Sequence, residues 1–162
     1  IYINDTLIKE SEYPYKGMFD EGAEITIKAI PESRKYTFAN WNNNSDLTEA
    51  ETTITLSDDM ELFASFQKKA QYKVILKCNT GGRLVLSIED EKQITIEPSE
   101  KTGRSFIVYE GDKVKIEAIP NSDYSFYAWN NQTSSKTTYE YTVSGDKNLT
   151  AFFRTSNSEQ KE

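Results

Sequence analysis

The sequence contains no histidine. Without it the chain lacks the commonest general base, the usual activator of serine and cysteine nucleophiles, and the main nitrogen ligand of zinc. Gly81 and Gly82 lie between two predicted strands and precede no helix, so they do not form a phosphate-binding loop. We therefore predict that the chain is not an enzyme and that it needs no cofactor or metal.

Cysteine is almost as scarce, since Cys78 is the only one. No disulfide can form within the chain, which disfavours a small, disulfide-stapled eukaryotic secreted domain. Cys78 falls in the inward phase of a predicted strand, and this position favours an inert core residue over a nucleophile. No stretch approaches 18 consecutive apolar residues, so the sequence predicts no insertion into a membrane.

Positive charge is also in short supply, with 19 lysines and arginines against 26 acidic residues and a formal net charge of -7. Binding to nucleic acid requires a basic surface that faces the phosphates, and anionic membranes have the same requirement. We expect no nucleic-acid partner. The acidic balance is typical of a protein kept soluble after export.

The chain does contain an internal repeat, carried by four blocks that recur in the same order at an offset of 87 to 89 residues. The matching blocks are Glu21–Pro31 with Glu110–Pro120, Tyr36–Asn43 with Tyr124–Asn131, Thr55–Ser57 with Thr142–Ser144, and Leu62–Phe66 with Leu149–Phe153. We predict a first repeat over residues 1–69, a second over 70–154 and a polar tail over 155–162.

Only the second repeat carries an N-terminal hairpin signal, over Gln71–Ser87 with turn residues at Asn79–Gly82. In the first repeat, Ile1–Ile3 matches the second run of that hairpin, and the first run has no counterpart. We expect a preceding segment to carry this missing strand.

Alternation with a period of two dominates both repeats, as in Ile25, Ile27 and Ala29. No convincing amphipathic helix of twelve residues is present. The sequence predicts an all-β chain of two tandem small antiparallel β modules, sandwich-like or β-grasp-like, with little or no helix.

The pattern Gly-x-x-(apolar-x-apolar-x-Ala-x-Pro), Tyr-x-Phe-x-x-Trp and a final apolar-x-Ala-x-Phe resembles the divergent internalin-type B-repeat. This resemblance implies a β-rich stalk or display module of an exported bacterial protein, often beside catalytic or adhesive domains, with no shared catalytic residues and no single ligand.

From this resemblance we expect an extracellular or bacterial cell-surface location. The expected function is a non-catalytic stalk or display spacer, including a role in adhesion. The alternative is a module that binds a carbohydrate or a host receptor through exposed aromatic side chains. Its partner would be a protein or glycan on a host or bacterial surface, whereas a stalk would contact neighbouring repeats or domains of its own parent chain.

Two interpretations apply to the aromatic-asparagine segments of the repeats. Exposed side chains there could form a ligand platform, or the aromatics could pack the core while the asparagines form turns. Phe38 and Trp41 are three residues apart, so both can face the core only if a β-bulge lies between them. The residues in question are Tyr36, Trp41, Asn42, Tyr124, Trp129 and Asn130.

Other clusters suggest chemistry less strongly. The acidic runs Asp58-Asp59-Glu61 and Glu89-Asp90-Glu91 could supply oxygen ligands to calcium, but they lack regular ligand spacing, and solvated turns are favoured. Lysines of some bacterial surface modules form covalent bonds to asparagine within the core. Lys28, Lys73 and Lys115 fall in the outward phase of their strands, which argues against such a bond.

Overall fold

The structure, a computed structural model, describes residues 1–89, 91–98 and 102–156. Asp90 of the second acidic run and residues 157–162 of the predicted tail lie outside the described residues. The chain divides into two compact units, Ile1–Lys69 and Ala70–Glu162.

Unit 1 is built of short strands and one turn of 3-10 helix at Glu10–Glu12. Its strands are β1 (Tyr2–Ile3), β2 (Thr6–Leu7), β3 (Glu24–Lys28), β4 (Tyr36–Trp41), β5 (Glu51–Thr55) and β6 (Ala64–Lys68). They form a four-stranded sheet in the order β2-β1-β3-β5 and a two-stranded sheet of β4 and β6. All of these pairings are antiparallel.

Unit 2 has longer strands and larger sheets. Its strands are β7 (Gln71–Cys78), β8 (Gly82–Ile88), β9 (Ile94–Ile96), β10 (Arg104–Tyr109), β11 (Lys113–Pro120), β12 (Tyr124–Trp129), β13 (Gln132–Thr133), β14 (Thr138–Thr142) and β15 (Lys147–Thr155). One sheet has the order β10-β7-β15-β12-β13 and the other has the order β14-β11-β8-β9.

The all-β prediction is confirmed, with one departure from antiparallel pairing: β15 runs parallel to β7, with Lys147 opposite Val74 and Ala151 opposite Cys78. The local sequence of either strand does not encode this pairing, because it joins the first strand of the unit to the last. The described residues of unit 2 contain no α-helix, and inward side chains of both sheets share one core, so the unit is a sandwich.

The period-two pattern explains which side chains are buried. Ile25, Ile27 and Ala29 lie in the core of unit 1, as the alternation predicts. The corresponding phase of unit 2 is buried as well, at Val114, Ile116 and Ala118 on β11 and at Val74, Leu76 and Cys78 on β7. Burial of such side chains stabilises each fold by about 25 cal/mol per Å² of apolar surface removed from water.

The two units share one strand plan. By position in the repeat and by pairing, β1, β2, β3, β4, β5 and β6 correspond to β8, β9, β11, β12, β14 and β15. Within the described residues, unit 1 has no strand that corresponds to β7, to β10 or to the two-residue β13.

A β-bulge interrupts the same place in both repeats. The register of β4 against β6 shifts between Phe38 and Asn40, and that of β12 against β15 shifts between Phe126 and Ala128. The bulge that the core interpretation of the three-residue spacing requires is therefore present. It brings the aromatic rings on either side of it to the same face of the strand.

Candidate functional site

The two tryptophans end their strands inside the cores. Trp41 is 1% exposed and Trp129 is 7% exposed. The indole Nε1 of Trp41 donates to the backbone oxygen of Glu49 at 3.0 Å, and that of Trp129 donates to the backbone oxygen of Lys136 at 2.9 Å. Each indole thus satisfies its polar group on the loop that follows it.

Neighbouring aromatic rings surround the indoles. The ring centroids of Phe38 and Trp41 are 5.3 Å apart, and those of Phe126 and Trp129 are 5.0 Å apart. Tyr139 adds an edge contact to Trp129 at 5.8 Å. A sugar could not stack on either indole without displacing core side chains, so this geometry favours core packing over a ligand platform.

The asparagine after each tryptophan has a positive φ, 55° at Asn42 and 52° at Asn130. The Oδ1 of Asn42 accepts from the backbone N of Phe63 at 2.7 Å, and the Oδ1 of Asn130 accepts from the backbone N of Thr150 at 2.9 Å. Asparagine tolerates this conformation better than most residues and can bond to nearby backbone groups. Both asparagines therefore form turns that fix the approach to the last strand.

The two tyrosines of the ligand-platform interpretation differ between the units. Tyr36 is an exposed residue, whereas Tyr124 is half-buried. The ring of Tyr124 lies over Gly81, where an added Cβ would come within 2.3 Å of its Cδ1. Tyr124 is covered by the β7–β8 hairpin. The structure thus does not assemble Tyr36, Trp41 and Asn42, or their counterparts, into an open pocket.

The described residues of the two acidic runs form no cluster suited to a metal. Among the described residues, no three or more carboxylate or cysteine side chains lie close enough together to bind one. Glu89 has a local task, since its Oε1 accepts from the backbone N of Lys113 at 2.6 Å and its φ is 45°.

The strand lysines face outward. Lys28 pairs with Glu51 at 2.7 Å, and Lys115 pairs with Glu117 at 3.1 Å. The hydrogen bond that Lys28 donates to the carboxylate of Glu51 raises the pKa of Lys28 above its ordinary value, and the negative charge of Glu51 adds to this effect. Lys73 is exposed as well. These positions agree with the outward phase of the three lysines.

Cys78 is fully buried among the core side chains of unit 2. Burial raises the pKa of its thiol to about 11, because the low-polarity surroundings disfavour the thiolate. The Sγ lies 3.7 Å from the backbone oxygen of Gly82. A buried thiol that keeps its proton is a poor nucleophile, as its predicted inward phase suggests.

The contact of the Lys147 ammonium with two tyrosine rings was not predicted from the sequence. The Nζ of Lys147 lies 5.1 Å from the ring centroid of Tyr139 and 4.8 Å from that of Tyr141, and it donates to the Oη of Tyr139 at 2.8 Å. Burial raises the pKa of Tyr141 to about 12, with smaller contributions from Tyr139 and the buried Asp112. Tyr139 and Tyr141 lie at alternate positions of β14 and so share one face, but no local signal places Lys147 beside them.

Exposed large apolar side chains are concentrated in unit 1. Those of unit 2, among the described residues, are Ile107 and Tyr127. Those of unit 1 are Leu7, Tyr13, Tyr15, Met18, Phe19, Ile30, Tyr36, Leu47, Met60, Phe63 and Phe66. Nothing helical in the described part of the chain has the length and hydropathy needed to cross a bilayer.

Comparison with known protein families gives a match over most of the chain. The family model for the divergent InlB B-repeat domain matches residues 12–70 and again residues 93–157. The two matched regions agree with two tandem copies of one repeat. No curated protein matches the chain.

Proposed function

Because this chain belongs to the divergent InlB B-repeat family, we propose that it is a non-catalytic module that spaces or displays other domains of its parent protein. The family is a structural repeat typical of bacterial surface or secreted proteins. An extracellular location on the bacterial surface, with a contribution to adhesion, is part of the proposal.

One observation carries the proposal: the residues that the two repeats share serve the fold. Trp41 and Trp129 fill the cores, and Asn42 and Asn130 close equivalent turns. Gly22 and Gly111 are further shared residues, with φ values of 79° and 81°. Asn42 and Asn130 are exposed in both repeats, but their amide oxygens are bonded to the backbone, so their presence in both copies requires no common ligand.

The outward faces of the equivalent strands β3 and β11 also support a scaffold, because they differ in charge. Glu24 of the first repeat corresponds to Lys113 of the second, and Lys28 corresponds to Glu117. The signs of both charges are reversed. A ligand with a defined charge pattern would not recognise both faces, which supports a scaffold over a repeated binding site.

A display experiment tests this function. The chain is placed between a cell anchor and a reporter antibody fragment, and an unrelated tandem β spacer of matched length and net charge replaces it in the control. We expect equal access of a large antigen to the reporter in both cases, and no binding of the isolated chain to glycan panels or host cells. Saturable binding by the isolated chain, absent from the control spacer, would overturn the proposal.

The alternative, a carbohydrate- or receptor-binding module, is favoured by the exposed aromatics between β2 and β3. Tyr13, Tyr15 and Phe19 are all exposed there, and the rings of Tyr15 and Phe19 flank Gly17. If the isolated chain binds a glycan, Tyr15→Ala and Phe19→Ala should abolish that binding. Tyr127→Ala, at an exposed tyrosine of unit 2, is the matched control.

A further inference from the structure

The strand β7 is central to unit 2, and within the described residues unit 1 has no strand at its place. In unit 2, β7 lies between β10 and β15 and pairs with both. In unit 1 the corresponding sheet is reduced to β4 and β6. If a strand is missing from the middle of a sheet, both of its neighbours should show the loss.

The first neighbour of β7 is β15, and its counterpart in unit 1 is a shorter strand. Residues 147–151 of β15 pair with β7, whereas its later residues pair with β12. The counterpart of Lys147–Thr150 is Met60–Phe63, and this segment is not a strand, since β6 begins only at Ala64. Leu149 is buried, while its counterpart Leu62 is half-buried between the exposed Glu61 and Phe63.

The second neighbour of β7 is β10, and its counterpart in unit 1 is not a strand. The turn after β10 and the corresponding turn of unit 1 are alike, since Gly111 N donates to Val143 O at 2.8 Å and Gly22 N donates to Leu56 O at 2.7 Å. Counting back from these turns, Arg104–Tyr109 corresponds to Tyr15–Asp20, which is not a strand. Val108 of β10 is 0% exposed, but its counterpart Phe19 is 43% exposed.

The exposure of equivalent core side chains also differs between the units, as expected if unit 1 lacks a strand. Phe153 of β15 is 4% exposed, whereas Phe66 at the equivalent place on β6 is 40% exposed. Their contacts within the sheet agree closely, because the Phe126–Phe153 centroid distance is 6.1 Å and the Phe38–Phe66 distance is 6.0 Å. Phe66 and Phe153 therefore have the same contact within their own sheet, and Phe66 lacks the cover that Phe153 has from the rest of its unit.

The route by which a strand would enter is also defined. Ile3 pairs with Ile27 as Leu86 pairs with Ile116, so Ile1 corresponds to Leu84 of β8. In unit 2, β7 leads through Asn79–Gly81 into β8, and the Oδ1 of Asp146 accepts from the backbone N of Lys73. Unit 1 has Asp59 at the position of Asp146.

We propose that unit 1 is a strand acceptor whose slot lies between residues 15–20 and 60–64. Its occupant is a strand with the chemistry of β7, apolar at alternate positions, running parallel to β6 and joined through a tight turn to Ile1. An added strand supplies backbone hydrogen bonds to both neighbours, and its alternate side chains complete the core. This inference is independent of the spacer function.

The test adds the strand to the full chain. A copy of residues 71–83 carrying Cys78→Ala is placed directly ahead of Ile1. The matched control has the same extension with Val74→Ser and Leu76→Ser in the copy, so that it retains the length and turn but loses the apolar face. Amide hydrogen exchange is then measured by mass spectrometry on peptides covering 15–20 and 60–64.

We expect exchange of both segments to slow by about tenfold or more in the extended chain and to stay unchanged in the serine control. Peptides from β8 and β11 report unit 2 and should exchange alike in all three chains, which shows that each is folded. Equal exchange of 15–20 and 60–64 in the extended chain and its control would overturn the proposal. Concentration-dependent protection in the unextended chain would also overturn it, since a second copy would then be the occupant.

Discussion

Asn79 brackets the backbone of Phe153. Its Nδ2 donates to the oxygen of Phe153 at 2.8 Å, and its Oδ1 accepts from the nitrogen of the same residue at 2.7 Å. One side chain thus fastens the β7–β8 turn to the last strand, 74 residues away. The sequence marked Asn79 as a turn former, but the partner that it reaches could not be read from local pattern.

Replacing this clamp should weaken unit 2. We expect Asn79→Ala to lower the free energy of unfolding by about 1–3 kcal/mol, because two backbone groups of a buried residue lose their partners. Urea unfolding followed by fluorescence measures this in a Trp41→Phe background, where Trp129 is the sole tryptophan and reports unit 2.

Asn131→Ala is the control, since Asn131 is an exposed turn residue of the same unit. It should change the unfolding free energy by less than about 0.5 kcal/mol. Equal losses for Asn79→Ala and Asn131→Ala would show that the bracket contributes nothing specific.

Two substitutions at Asn130 distinguish the contribution of its backbone conformation to stability from that of its hydrogen bond. Asn130→Gly keeps the positive φ accessible but removes the bond to Thr150, and should cost about 1 kcal/mol. Asn130→Ala keeps a Cβ in the left-handed region without the amide that helps asparagine to tolerate it, and should cost about 1–2 kcal/mol more than the glycine variant. The same fluorescence-detected urea unfolding measures both. Identical values for Gly and Ala would mean that the backbone relaxes out of this conformation.

The sequence could predict the features that depend on local pattern. The alternation at Ile25, Ile27 and Ala29 identifies the core face, and the spacing of Phe38 and Trp41 requires a bulge if both rings are to face the core. The sequence could not predict which segments become strands where this depends on pairing with a distant strand. Tyr15–Asp20 and Arg104–Tyr109 occupy matching positions, yet only the second is a strand, because β7 lies beside it.

In the candidate site, too, local features could be predicted and tertiary contacts could not. The positive φ of Asn42 and Asn130 agrees with the interpretation of these asparagines as turn formers. The position of Lys147 over two tyrosines joins residues of β14 and β15 that only tertiary packing brings together.

Tyr139 and Tyr141 should respond in opposite directions to loss of their hydroxyl groups. Among the described residues, Tyr141 Oη is buried without a hydrogen-bond partner, whereas Tyr139 Oη accepts from Lys147. Tyr141→Phe should raise the free energy of unfolding by up to about 1 kcal/mol, and Tyr139→Phe should lower it by about 1 kcal/mol. Urea unfolding of the two variants checks this. A loss of stability in Tyr141→Phe would show that its hydroxyl has a partner in solution.

The burial of both indoles predicts a simple optical property. The folded chain should emit in the blue range and resist quenching by acrylamide, because Trp41 and Trp129 are shielded from solvent. The same chain in concentrated guanidinium chloride is the control and should show red-shifted, readily quenched emission. Red-shifted emission from the folded chain would reopen the ligand-platform interpretation and direct glycan screening to Trp41→Ala and Trp129→Ala.

Cys78 makes the stability of unit 2 depend on pH in the alkaline range. Burial raises the pKa of its thiol to about 11 in the folded state, so the folded chain holds this proton more tightly than the unfolded chain does. The resulting stabilisation is complete below the unfolded pKa and is lost as pH rises towards 11. Urea midpoints, measured at half-unit steps from pH 8 to pH 11, should therefore fall through this window.

Cys78→Ala separates this contribution from other alkaline titrations, including that of Tyr141 near pH 12. The variant should be less stable at pH 8, because it loses part of a buried side chain, but its decline between pH 9 and pH 11 should be shallower. Thiol labelling at pH 8 gives an independent check: the folded chain should react slowly, since only about one thiol in a thousand is ionised when the pKa is near 11. Rapid labelling together with an unchanged slope in Cys78→Ala would show that the thiol is open to solvent, and the burial of β7 in the core would then have to be rejected.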